Sequence, residues 1–161
     1  MNISEDEHSS VQLLHLSFHD FLVDKKRCSN DQFRIDEPKS HSDLVEHCLK
    51  VMSSVLRKNI CKLDKPGFLA RKVAEDLKGK FLPTHVRYAC RYWIDHLTRS
   101  DLDLSENGQV YRFFGKHFLH WLEALSLMRS MPKGVASLTD LQFKIMVSDY
   151  ALLLSHSQML I

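Results

Sequence analysis

Residues 11–24 read VQLLHLSFHDFLVD, and the period of the apolar positions changes halfway along. Val11, Leu13 and Leu14 follow the spacing of a short buried strand. From Ser17 onward the apolar residues fall at Phe18, Phe21 and Leu22, which is helical spacing. Ser17 stands at the join. Its hydroxyl is suited to accept from a free backbone N–H of the new helix, and Asp20 completes an S-x-x-D capping pattern. His15 is thereby placed at a strand-to-helix corner, beside a helix N-terminus. Such ends attract anions and phosphates, because their backbone N–H groups are unpaired and the helix dipole is positive there. The competing reading is a core-edge histidine bonded to a backbone carbonyl.

Outward from this corner, Phe33–Asp36 alternates apolar and charged and reads as a second short strand, able to pair with Val11–Leu14. Residues 1–10, MNISEDEHSS, are polar and acidic and read as a disordered N-terminus. They resemble neither a secretory leader nor a transit peptide. Four helices are expected beyond Pro38. The first opens at Ser40–Asp43, carries Leu44, Cys48, Val51, Met52, Val55 and Leu56 inward with Leu49 beside them, and ends near Asn59. Pro66–Gly67 is a breaker. The next helix follows Pro83–Thr84, with Val86, Ala89, Cys90, Trp93, Ile94 and Leu97 on one face. The third spans about Gln109–Met131 and is apolar nearly all round, so it is expected at the centre of the core. Pro132–Gly134 breaks it. The last starts at Ser137 and turns Leu138, Leu141, Ile145 and Leu152 inward.

The expected fold is therefore mainly α: a helical bundle behind a small strand-helix element, with at most one two-stranded β pairing. The expected divisions are 1–10, 11–38 (the strand-helix element) and 39–161 (the bundle).

Composition narrows the function classes. The chain has 161 residues, 44% hydrophobic and 26% charged, with a formal charge of +2. That charge is too small to imply a nucleic-acid or membrane partner by itself. Five glycines and four prolines suit helices. Cys28, Cys48, Cys61 and Cys90 lack C-x-x-C spacing and read as reduced thiols of a cytoplasmic protein, two or three of them in the core. No apolar run is long enough to span a bilayer.

Four groupings have chemistry to weigh. His15 and His19 are four apart, and His117, His120 and Glu123 are three apart in series. Both spacings can ligate metal, yet the first pair has no third ligand of supporting spacing and the second set lies on a helix dominated by aromatics, so no metal is expected. Arg87–Trp93 (RYACRYW) interleaves cations with aromatics, as single-strand nucleic-acid binders do, but Asp95 and Asp101 dilute the charge, and a helix with a tyrosine-tryptophan core face and a charged outer face is the better reading. Lys25-Lys26-Arg27 reads as a solvated loop unless the front element is a DNA-binding winged helix. No P-loop, G-x-G-x-x-G, G-x-S-x-G or H-E-x-x-H motif is present. No catalytic residues are assigned.

Four strings carry a resemblance. LLHLSFHDFL (13–22), SDLVEHCLKVMSSVLRKNICKL (42–63), YACRYWIDHL (88–97) and FFGKHFLHWLEALSLM (113–128) occur in this order. They resemble the end of the winged helix and the helical linker of fungal NACHT-type STAND proteins. These are NLR-like signalling NTPases that include heterokaryon-incompatibility proteins. The resemblance covers roughly residues 11–155. It implies a non-catalytic segment that couples an NTPase module to C-terminal WD or other repeats. It also implies that His15 contacts the phosphates of bound nucleotide. The plant-type version of the motif has an acidic residue after the histidine; here Leu16 follows, so only the histidine carries over. The NACHT module is absent from these residues, so ADP or ATP is expected only in the context of a full-length NACHT protein. The expected partners are that NACHT module, the repeats, and a further copy through exposed apolar helices. A winged-helix nucleic-acid module with a helical oligomerisation domain is the alternative.

Overall fold

The fold is built around the stripe Val86, Ala89, Cys90, Trp93, Ile94 and Leu97, whose three-and-four spacing gives one helix a continuous apolar face. A computed structural model describes residues 16–30, 32–63, 73, 75–102, 104 and 108–158; the side chains at 16, 75, 78 and 148–158 are not among those described. Among the described residues there are six helices and no strand. They are α1 (Leu16–Val23), α2 (Glu37–Val55), α3 (Glu75–Phe81), α4 (Thr84–Arg99), α5 (Gln109–Leu127) and α6 (Met131–Gln158).

The mainly α architecture is as expected. The centre is not. α4 packs against α2, α5 and α6, with its largest interface on α2. α5 is the more peripheral helix, because its outer side leaves Tyr111 and Leu119 in solvent. Its all-round apolar sequence is used for aromatic packing on one side instead. Trp93 meets Phe113, Phe114 and Trp121 with ring centroids 5.3–5.9 Å apart. Trp121 donates its indole N–H to the Cys90 carbonyl at 2.8 Å, tying α5 to α4. Trp93 Nε1 has no hydrogen-bond partner among the described residues and lies among these aromatic rings.

Helix boundaries depart from the sequence reading for identifiable reasons. α2 starts at Glu37, not at Ser40. Asp36 caps it by accepting from Lys39 N–H at 3.2 Å, and Pro38 occupies its first turn, where the missing N–H costs nothing. The buried stripe runs through Val45, Cys48, Leu49 and Met52, and Leu44, expected inward, is exposed. α2 ends at Val55 rather than near Asn59. Phe33–Asp36 is not a strand. It is an irregular segment in which Phe33 and Arg34 N–H donate to the Asn30 carbonyl at 3.1 Å each and Ile35 N–H to the Leu22 carbonyl at 2.9 Å; its expected partner, Val11–Leu14, lies outside the described residues. Gly79 lies inside α3.

α6 begins at Met131, six residues before the expected start. The chain break is not made by Pro132–Gly134 but by Arg129, at φ 56°. Arg129 N–H donates to Ser126 O at 3.0 Å and Ser130 N–H to Leu125 O at 2.8 Å, a Schellman closure of α5. Pro132 then falls in the first turn of α6. Gly134 allows α6 to approach α5, since a Cβ there would lie 2.3 Å from Leu125 Cδ1. On α6 Leu141 is buried and Leu138 partly so. Ile145 is 41% exposed rather than inward, and the Leu152 side chain is outside the described residues.

All four cysteines are buried. Three of them, Cys48, Cys61 and Cys90, belong to the main core. Burial pushes the Cys90 thiol up to about 12, which keeps it protonated and unreactive.

Candidate functional site

Ser17 and Asp20, the expected cap of the front element, both lie on α1, three residues apart and both exposed. α1 already includes Leu16, so Ser17 stands inside the described helix. His15, Val11, Leu13 and Leu14 lie outside the described residues, and the corner itself is not among the features the structure describes.

Among the described residues, α1 is tied toward the bundle through Ile35 and Glu37. Besides the Ile35–Leu22 backbone bond, His19 Nε2 stands 3.3 Å from Glu37 Oε1, and its Nδ1 is 3.5 Å from Asp20 Oδ1. His19 thus faces two carboxylates, an arrangement suited to an ion pair when the ring is protonated. After α1 the chain turns over Asp24, whose carboxylate accepts from Lys26 N–H at 2.8 Å and whose carbonyl accepts from Cys28 N–H at 2.8 Å. Lys25-Lys26-Arg27 is the exposed outer edge of this turn. A crevice of about 260 Å³ lies between the end of α1 and the start of α2, with Lys25 and Arg34 opposite Asp36 and Glu37.

The other sequence-level groupings have structural employment. His117 and His120 are neighbours, with their Nδ1 atoms 3.5 Å apart. Glu123 does not join them. Its carboxylate accepts from Asn59 N–H at 3.0 Å and Ile60 N–H at 3.1 Å, pinning the loop after α2. No group of three metal-ligating side chains exists among the described residues. In RYACRYW, Arg87 donates to the Leu82 carbonyl at 2.6 Å and Arg91 to Ser130 Oγ at 3.0 Å, while Trp93 is in the core. Only Tyr88 and Tyr92 remain on the surface, their rings 5.0 Å apart. With both arginines engaged inside the bundle, the stretch does not form a cationic stacking platform.

Two clusters were invisible in the sequence because each is assembled from separate helices. In the first, His41 Nδ1 of α2 lies 3.0 Å from His96 Nδ1 of α4, and His96 Nε2 lies 2.7 Å from Tyr88 Oη. Burial, then the charge of His41, holds His96 below the ordinary histidine value; Asp95 opposes this. The second is a groove between α2 and α5, whose floor includes Leu49, Phe113 and His117.

The end of α4 is a third junction. Lys144 Nζ of α6 donates to the carbonyls of Leu97 (2.7 Å), Thr98 (3.2 Å) and Ser100 (2.9 Å). A cation there satisfies the last carbonyls and meets the negative end of the helix dipole. Nearby, Ser42 Oγ is 2.5 Å from Asp101 Oδ1 and joins α2 to the same corner.

This chain is similar to a fungal vegetative incompatibility protein. It is 35% identical over 151 residues to vegetative incompatibility protein HET-E-1 of Podospora anserina, an alignment that covers 83% of this chain. The chain spans only 11% of that relative's length. No protein-family model and no solved structure matches it. Among the described residues no helix is long and apolar enough to cross a membrane.

Proposed function

We propose that this chain is a non-catalytic coupling segment of an NLR-like vegetative-incompatibility protein, lying between a nucleotide-binding NACHT module and C-terminal sensor repeats. The similarity to HET-E-1 over 83% of the chain carries this reading. The helical bundle suits the role physically. α4 is gripped by α2, α5 and α6 together, so a displacement imposed at one end moves the bundle as a body. Among the described residues the front element is tied toward the bundle by the Ile35–Leu22 backbone bond and the His19–Glu37 pair. Exchange of nucleotide in the NACHT module would reorient this element, with His15 as the phosphate contact, and the bundle would carry the reorientation onward.

The repeats and the NTPase module are its partners in this reading, with further copies engaged through exposed apolar side chains. Val135, Phe143, Met146 and Val147 of α6 are in solvent and available for such contacts. Nucleotide hydrolysis belongs to the NACHT module, since this sequence carries no P-loop. The protein works in the cytoplasm.

The test joins the chain to its NACHT module and changes His15→Ala. Faster loss of bound ADP and a lower threshold for activation are expected. Unchanged nucleotide retention together with unchanged activation removes His15 from the mechanism. The alternative, a nucleic-acid module, predicts a salt-sensitive mobility shift with duplex DNA; none is expected.

A further inference from the structure

The groove between α2 and α5 encloses about 280 Å³. Its walls repeat at helical spacing: Glu46, Leu49, Lys50 and Ser53 on α2 face Arg112, Phe113, Lys116 and His117 on α5. Leu49, Phe113 and His117 are buried and form the floor, and Lys50, Arg112 and Lys116 are exposed on the rim. None of these three cations has an ion-pair or hydrogen-bond partner among the described residues. Among the described residues Glu46 is the only acid lining the groove. Three cations thus converge from two helices on one concavity, with a single described carboxylate beside them.

Such an arrangement attracts anions. Like charges facing one cleft repel, and a concave, low-dielectric wall concentrates their field. His117 is 6% exposed and stacked on Phe113 with ring centroids 5.7 Å apart. It is held below the ordinary histidine value by burial first, then by Lys116 and His120, against a contact with the Leu56 backbone that works the other way. A ligand bearing two or more negative charges would relieve the repulsion. The size of the groove suits a small anion better than a drug-sized molecule. The lysines supply point charges and Arg112 a planar fork, both matched to phosphate oxygens.

We propose that the α2/α5 groove binds a phosphate-bearing polyanion, held by Lys50 from one helix and by Arg112 and Lys116 from the other. The site is independent of His15 and of the coupling role. Its occupation would bridge α2 and α5 and stiffen the bundle.

The experiment titrates the full chain with inorganic pyrophosphate, following the His117 imidazole signals by NMR across pH and measuring affinity by calorimetry. Phenyl phosphate is the second probe, since its ring adds an apolar body for the Leu49–Phe113 floor. Tighter binding of pyrophosphate assigns the site to a bare polyphosphate, and tighter binding of phenyl phosphate to a phosphorylated organic molecule. The expected result is saturable binding that raises the His117 titration midpoint. Combining K50Q, R112Q and K116Q should weaken it roughly tenfold or more, from the usual worth of exposed charge pairs. Glu46→Gln should tighten it. All four side chains are exposed, so an unchanged thermal unfolding curve is expected and shows the fold intact. An equal response from the triple variant, or from sodium chloride at matched ionic strength, overturns the proposal.

Discussion

His41 Nδ1 and His96 Nδ1 face each other at 3.0 Å across the α2/α4 interface. One proton can be shared between two such nitrogens, but a second cannot be accommodated without breaking the contact. The Tyr88 hydroxyl, 2.7 Å from His96 Nε2, accepts or donates to suit whichever tautomer is present. The pair therefore joins the two most extensively packed helices only while at least one ring is neutral.

Stability should accordingly fall in mild acid. His96 titrates below its ordinary value of 6.5 in the folded chain. The unfolded chain takes up a proton first, so the stability contributed is complete above about pH 6.5 and is lost as pH falls from there toward the folded value. His117 is shifted in the same direction and adds to the effect. The urea midpoint should drop between about pH 7.5 and pH 5.5, and His96→Gln should flatten that dependence. A parent curve already flat over this range contradicts the linkage.

Lys144→Met keeps most of the stem and removes the charge from the end of α4. Three carbonyls lose their charged donor. The expected loss is about 1–2 kcal/mol in urea unfolding at low salt, shrinking as salt is added.

Arg129 sits at φ 56°, a conformation that an L side chain resists. Arg129→Gly should raise stability by about 0.5–1 kcal/mol, the strain relieved less the added entropy of the unfolded chain. Gly134→Ala should do the opposite. Its Cβ would press on Leu125, itself fully buried, at a cost of about 1–3 kcal/mol. Thermal unfolding of the two variants separates a turn that tolerates glycine from a helix crossing that requires it.

Trp121→Phe removes both ring volume and the bond to the Cys90 carbonyl, leaving a buried acceptor that is still engaged within α4. A loss of about 1–3 kcal/mol is expected by chemical denaturation.

The spacing of apolar residues was enough to reveal α4, because Val86 to Leu97 keep one unbroken stripe and Pro83–Thr84 marks its start. It was less informative for α2 and α6. In both, a proline lies in the first turn, and Pro38 and Pro132 are as compatible with a helix beginning as with an element ending. Arg129 adopts a conformation that glycine usually signals, so the stop of α5 was displaced onto Pro132–Gly134. The centrality of α4 over α5 could not be read from composition, since α5 is the more apolar of the two; neighbours on three sides, not apolar content, decide which helix is central. For the site, the four strings pointed to a relative that the 35% identity to HET-E-1 supports. His41–His96 and the Lys50–Arg112–Lys116 rim left no local trace, because each depends on how α2 lies against α4 and α5.

The proposed coupling role is tested most directly in a protein that joins this chain to a NACHT module and repeats, with residues 39–161 replaced by a flexible Gly/Ser linker of matched reach. Nucleotide binding and the response to an activating ligand are measured together. Retained nucleotide binding with loss of the response is the predicted result. An undiminished response through the flexible linker would contradict the bundle's role in transmission.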